Sequence, residues 1–232
     1  MVQLGHMKSL TLLIMTFNAD KSDSFTGVEM LEEMGKLDNI EELDLNIVSR
    51  TNTNILFTMK IVFQNLKKLR NVKINMPNCA YDESLVVTLA KNNPDLTGIH
   101  FLNYPSLSDK CIDFLASSCP GLQGLNIDFR ESDNKINKIS SSFPNLKHLI
   151  ATGCDGLDNE QLVQIAKIYE RLEKLELYLF NVVITDIGIE KMVGAAKNLR
   201  YLRVDEAINV TMDLVTRLKI DYQDLDVEIN ND

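Results

Sequence analysis

One spacing recurs from end to end of this 232-residue chain: a leucine or isoleucine, an apolar residue three positions on, and another two positions after that. It reads Leu10-Leu13-Met15, Ile40-Leu43-Leu45, Leu69-Val72-Ile74, Leu96-Ile99-Phe101, Leu122-Leu125-Ile127, Leu146-Leu149-Ala151, Leu172-Leu175-Leu177 and Leu199-Leu202-Val204, with a degenerate ninth copy at Leu225-Val227-Ile229. Successive first positions are 24 to 30 residues apart. The alternation closing each copy is that of a short strand with one buried face. The remainder of each step has room for a helix and two turns. A unit this small cannot bury its apolar face alone, so each must stack on the next.

A leucine pattern at this period is the signature of leucine-rich repeats. The predicted fold is α/β, one leucine-rich repeat domain spanning 1–232: a right-handed β-α solenoid of about eight repeats plus the degenerate C-terminal strand, shaped as a horseshoe. Parallel strands would line its concave side and helices its convex side.

The connectors carry helix signals. In LSDKCIDFLASSC, Ser108 is placed as an N-cap, Asp109 favours the first turn, and Cys111, Ile112, Leu115 and Ala116 share one face. Similar starts stand at Asp82, Asp158 and Thr185, and Pro94, Pro120 and Pro144 each sit two residues before the first leucine of a strand, marking one helix-to-strand turn three times. The connector FRESDNKINKISSSFP has weak helical periodicity and predicts a single turn around Ile136 to Ile139. In the sequon Asn209-Val210-Thr211, Asn209 is read as the N-cap of a helix over 211–220.

A formal charge of −9 at pH 7, with Lys and Arg scattered, disfavours nucleic acid and matches a basic protein partner. No apolar run approaches the ~18 residues of a membrane span, and MVQLGHMKSL lacks the apolar stretch of a signal peptide, so the expected location is cytoplasmic or nuclear and no membrane is involved. Cys79, Cys111, Cys119 and Cys154 fall about one to a repeat without CxxC spacing, which reads as buried thiols and not as disulfides or a zinc site.

At several of these residues the chain resembles the cysteine-containing leucine-rich repeats of F-box proteins, the substrate-recognition subunits of cullin-RING ubiquitin ligases. Cys119-Pro120-Gly121-Leu122 matches the family's Cys-Pro-x-Leu, Ala151 to Cys154 its strand and cysteine, and Ile184-Thr185-Asp186 its helix start, with Leu107-Ser108-Asp109 a looser copy. The resemblance implies a substrate-binding arm with cullin-RING components as partners, if an F-box stands upstream in the parent chain. The departures are that repeats begin by Leu10 and that Asn18, Val48, Pro77, Tyr104, Arg130, Phe180 and Ala207 stand where Cys154 fits. A free-standing scaffold or inhibitor of the ribonuclease-inhibitor type is the alternative.

Strand alternation assigns three rows to the concave face: Leu12, Glu42, Asn71, Gly98, Gly124, His148, Lys174, Tyr201; then Ile14, Asp44, Lys73, His100, Asn126, Ile150, Glu176, Arg203; then Thr16, Asn46, Asn75, Leu102, Asp128, Thr152, Tyr178, Asp205. All are expected to face solvent. The expected partner-binding residues are Lys73, His100, Asp128, Glu176, Tyr178, Tyr201 and Arg203. Tyr178, Tyr201 and Arg203, with Tyr and Arg the mix that hot spots favour, are placed about one strand spacing apart, ~5 Å. The helix over 55–66, apolar nearly all round and carrying Phe57 and Phe63, offers a second surface. Catalysis would have to use His100 or His148 beside a cysteine or serine. No such motif, metal cluster or phosphate loop is legible, so no catalytic residue, metal or cofactor is expected.

Overall fold

The computed structural model describes residues 7–18, 27–48, 53–77, 82–102, 106–128, 135–154, 157–179 and 183–230. Cys79, Tyr104, Arg130, Phe180 and His6 lie outside them. Nine parallel strands alternate with eight helices among the described residues. The chain divides into two compact units, 1–122 and 123–232.

In the first unit, strands β1 (Leu12–Asn18), β2 (Glu42–Val48), β3 (Asn71–Asn75) and β4 (Gly98–Leu102) lie side by side in chain order, all parallel. Helices α1 (Gly27–Met34), α2 (Thr53–Asn65) and α3 (Glu83–Asn92) connect them, and α4 (Asp109–Ser118) follows. The register is set by the leucine pattern, since Leu43, Val72 and Ile99 stand opposite one another, as do Leu45, Ile74 and Phe101. All six are buried. At β1, which among the described residues has a neighbouring strand on one side only, the equivalent Leu13 and Met15 are half-buried.

Helix starts follow their caps. The Asp82 carboxylate accepts from the Ser84 amide and the Ser108 hydroxyl from the Cys111 amide, as read from sequence. Helix ends meet the next strand through residues just before the prolines. Buried Asn93 receives the Leu69 amide on Oδ1 at 2.9 Å, and the Cys119 thiol points at the Ala90 and Asn93 carbonyls. These side chains satisfy backbone groups that a buried helix-to-strand turn would otherwise strand.

One expectation about α2 changes. Phe63 is fully buried, stacked on Phe101 with ring centroids 6.4 Å apart, whereas Phe57 is 67% exposed. The apolar character all round the helix reflects a wide buried face, also holding Ile55, Met59 and Val62, with one aromatic left outside.

In the second unit, β5 (Gly124–Asp128), β6 (His148–Thr152), β7 (Lys174–Tyr178), β8 (Tyr201–Asp205) and β9 (Asp226–Asn230) are again parallel and in order. The degenerate last copy is thus a full five-residue strand, with Val227 and Ile229 opposite Leu202 and Val204. The connectors are α5 (Lys135–Ser142), α6 (Asn159–Ile168), α7 (Asp186–Ala195) and α8 (Met212–Asp221). The helix α5 runs for eight residues where a single turn was expected; Ile139 within it and Phe143 just beyond, four residues apart, are both buried at helical spacing.

Helix starts in both units share a device. The first helical residue reaches to the N-cap of the next repeat: Glu83 accepts the Ser108 amide and hydroxyl, Asn159 the Thr185 amide, and Asp186 the Thr211 amide and hydroxyl at 2.7 and 2.6 Å. Thr211, and not Asn209, is therefore the cap of α8, and its hydroxyl serves Asp186 instead of its own helix.

Candidate functional site

Paired strands in this register set side chains of equal rank ~4.8 Å apart in rows. On the open face of the second unit the rows run His148, Lys174, Tyr201, Asp226; then Asn126, Ile150, Glu176, Arg203, Glu228; then Asp128, Thr152, Tyr178, Asp205, Asn230. The expected rows are reproduced, and β9 extends each by one member.

Exposure is where the expectation fails. Glu176 (8% exposed), Asp128 (5%) and, on β4, His100 (7%) are buried, as are Asn126, Ile150 and Asp205. The register sets Lys73 beside His100, Thr152 beside Asp128, and Ile150 and Arg203 on either side of Glu176. Tyr178, Tyr201 and Arg203 remain half-buried and Lys73 exposed. The buried members support a surface that the accessible ones present.

Glu176 is the hub of one cluster. Its carboxylate receives His148 Nε2 at 3.0 Å and Lys174 Nζ at 2.9 Å. Burial pushes the carboxyl's pKa up, but the bonds and charges of His148 and Lys174 outweigh it and bring the pKa down to about 2. Lys174 also lies 4.6 Å from the centroid of the Tyr201 ring, whose hydroxyl donates to Glu228 at 2.8 Å. Burial and that carboxylate push the Tyr201 phenol up to about 12, so it stays a donor at neutral pH.

A second cluster sits at the C-terminal ends of the same strands. Arg203 Nε donates to both Asp205 oxygens at 3.1 and 3.0 Å, Nη2 reaches Asp205 at 2.9 Å, and Asn230 donates to Asp205 at 2.7 Å. The guanidinium carbon is 6.0 Å from the Tyr178 ring centroid. Just past Asp205, Glu206 has φ 60°, the left-handed region that Gly153 occupies after β6. It is the one non-glycine residue with positive φ among the described residues, a conformation that costs about 1 kcal/mol.

Tyr178 and Tyr201 do not neighbour each other as expected. Tyr178 pairs with Asp205 and Tyr201 with Lys174, at opposite ends of β7 and β8, so they are ~14 Å apart, with Arg203 between them. Lys73 and His100 stand opposite each other in the first unit, Lys73 paired with Asp44 at 3.7 Å. Asp128 is two strands from Tyr178. The residues not anticipated are Asp226, Glu228 and Asn230; carrying the three rows onto the ninth copy would have found them.

Ile14, on the open face of β1, is 66% exposed, and Leu12 beside it is also exposed. The thiols of Cys111, Cys119 and Cys154 are buried. Burial pushes Cys111 up to about 12 and Cys119 to about 11, the reverse of what activates a nucleophile. Among the described residues no group of three or more His, Cys, Asp or Glu is placed to hold a metal ion, and no helix is long and apolar enough to cross a membrane.

No family model and no curated protein matches this chain. Among solved structures it is similar to the leucine-rich repeat-containing protein LegL7 from Legionella pneumophila, with a TM-score of 0.53 and 11% identity over 99% of this chain and 86% of that one. It also aligns with the Rad7 and Elc1 complex in yeast, at TM-score 0.45 and 14% identity over 95% of this chain and 74% of that one. Nine parallel strands alternating with helices, together with the LegL7 likeness, define an α/β leucine-rich repeat solenoid.

Proposed function

We propose that this chain is a non-enzymatic protein-binding module whose contact surface is the open sheet face around β7 and β8. The observation that carries the reading is the pair of tyrosines held by fixed cations, Lys174 over Tyr201 and Arg203 over Tyr178, each cation pinned by a buried carboxylate. Half-buried Tyr and Arg on rigid strands lose little side-chain entropy on binding, which is what a hot spot requires. The strained Glu206 beside the second cluster fits the same reading, since such strain gathers at functional sites. By the repeat resemblance, the finer role is the substrate-recognition arm of an SCF-type ubiquitin ligase adaptor, in the cytoplasm or nucleus.

The test is affinity purification with mass spectrometry, asking first whether a cullin adaptor co-elutes. Capture of the co-purifying protein should then be lost on Tyr201→Ala with Arg203→Lys, with thermal stability nearly unchanged. Lysine keeps a charge beside Asp205 but loses the planar fork. Capture that survives this change and is lost on Phe57→Ala would move the surface to the helix side.

A further inference from the structure

The open face of the second unit carries Asp128, Glu176, Asp205, Asp226 and Glu228 against Lys174 and Arg203. On the first unit the same rows hold Glu42 and Asp44 against Lys73, so the acidic excess gathers where the tyrosines are. The lysine and the arginine in these rows of the second unit already face an internal carboxylate, Lys174 on Glu176 and Arg203 on Asp205. A partner therefore meets the exposed carboxylates of Asp226 and Glu228, with the Tyr201 hydroxyl already bonded to Glu228. An anionic segment would meet repulsion there, and an apolar one would have to strip water from two carboxylates without return.

We infer that the segment bound on this face is a cationic one: an extended stretch of protein bearing lysine or arginine, which crosses β7 to β9 and sets its positive side chains on Asp226 and Glu228. This rests on the proposed binding role of the β7–β8 face and adds the partner's charge. Electrostatic complementarity of this kind speeds encounter and excludes wrong partners, and it weakens with salt.

The experiment uses the full chain and a labelled peptide alternating lysine with serine, read by fluorescence anisotropy, with a glutamate–serine peptide as its counterpart. The lysine peptide should bind, more weakly at ~0.3 M than at ~0.05 M salt, and the glutamate peptide should not. Asp226→Asn with Glu228→Gln should lower its affinity about tenfold, from roughly 0.7 kcal/mol at each carboxylate. Glu160→Gln with Glu170→Gln, which removes two charges from exposed positions on and just beyond α6, should change it less than about twofold. Equal losses in the two variants would overturn the inference, because binding would then follow net charge alone. No binding of the lysine peptide would overturn it too, while leaving the β7–β8 surface standing if Tyr201→Ala still abolishes capture of the co-purified protein. Loss of lysine-peptide binding in the strand-face variant, with that capture unaffected by Tyr201→Ala, would instead sink the parent reading.

Discussion

The carboxamide of Asn159 fills the space that a β-carbon on Gly188 would need, and from there its Oδ1 accepts the Thr185 amide at 3.1 Å. The first residue of α6, the cap of α7 and the third residue of α7 are thereby locked in one arrangement. Gly188→Ala must push Asn159 aside, which removes its bonds to Thr185, and should destabilise the protein by about 2 kcal/mol. In urea titrations Asn159→Ala alone should lose about 1 kcal/mol, and the double variant should lose clearly less than the sum. Strict additivity would mean the two residues are not in conflict.

Position within the second unit should decide what a core leucine is worth. Leu175 on β7 packs between two paired strands and is fully buried, whereas Leu225 leads into β9, the last strand of the sheet. Leu175→Ala should cost about 2 to 5 kcal/mol and Leu225→Ala clearly less, measured by denaturant midpoint. Equal losses would contradict stacking as the source of stability.

The Glu176 carboxyl gives a pH signature. Its folded pKa of about 2 lies below the ~4.3 of an exposed glutamate, so its stabilisation is complete above ~4.3 and fades as pH falls towards 2. The stability gap between the parent chain and Glu176→Gln should therefore close as pH falls between about 4.5 and 2. A gap independent of acid would show that the His148 and Lys174 contacts contribute nothing.

Thiol reagents should find the native protein almost inert. Cys111, Cys119 and Cys154 are buried, and burial holds the first two far above neutral pH. At most one thiol per chain, that of Cys79, should react before unfolding, and all four in denaturant. Rapid modification of Cys119 in the folded state would contradict the packing at the α4 end.

The rows of the open face were legible because alternation is strict and parallel pairing carries the leucine register from strand to strand: Asp44, Lys73 and His100 stand side by side as read. How deeply each member is buried was not legible, since alternation gives only the face; His100 beside Lys73 and Asp128 beside Thr152 are buried, while Ile14 is bare. The separation of Tyr178 from Tyr201 was misjudged because both are row members, but of the third and first rows. The helix over 135–142 is longer than the single turn predicted because Ile139 and Phe143 are buried at helical spacing, a pattern easily overlooked in a segment rich in Lys, Asn and Ser. The cap at Thr211 was missed because its partner, Asp186, is 25 residues away and belongs to the previous helix.

That last contact has a polarity. Asp186 receives the amide and hydroxyl of Thr211, so the start of α8 relies on α7. The same direction holds from Glu83 to Ser108, while Asn159 both accepts the Thr185 amide and donates to its hydroxyl. Loss of α8 leaves Asp186 as an acceptor that water can serve, whereas loss of α7 orphans the amide and hydroxyl of Thr211 at the start of α8, so this junction unravels easily from one side and hard from the other.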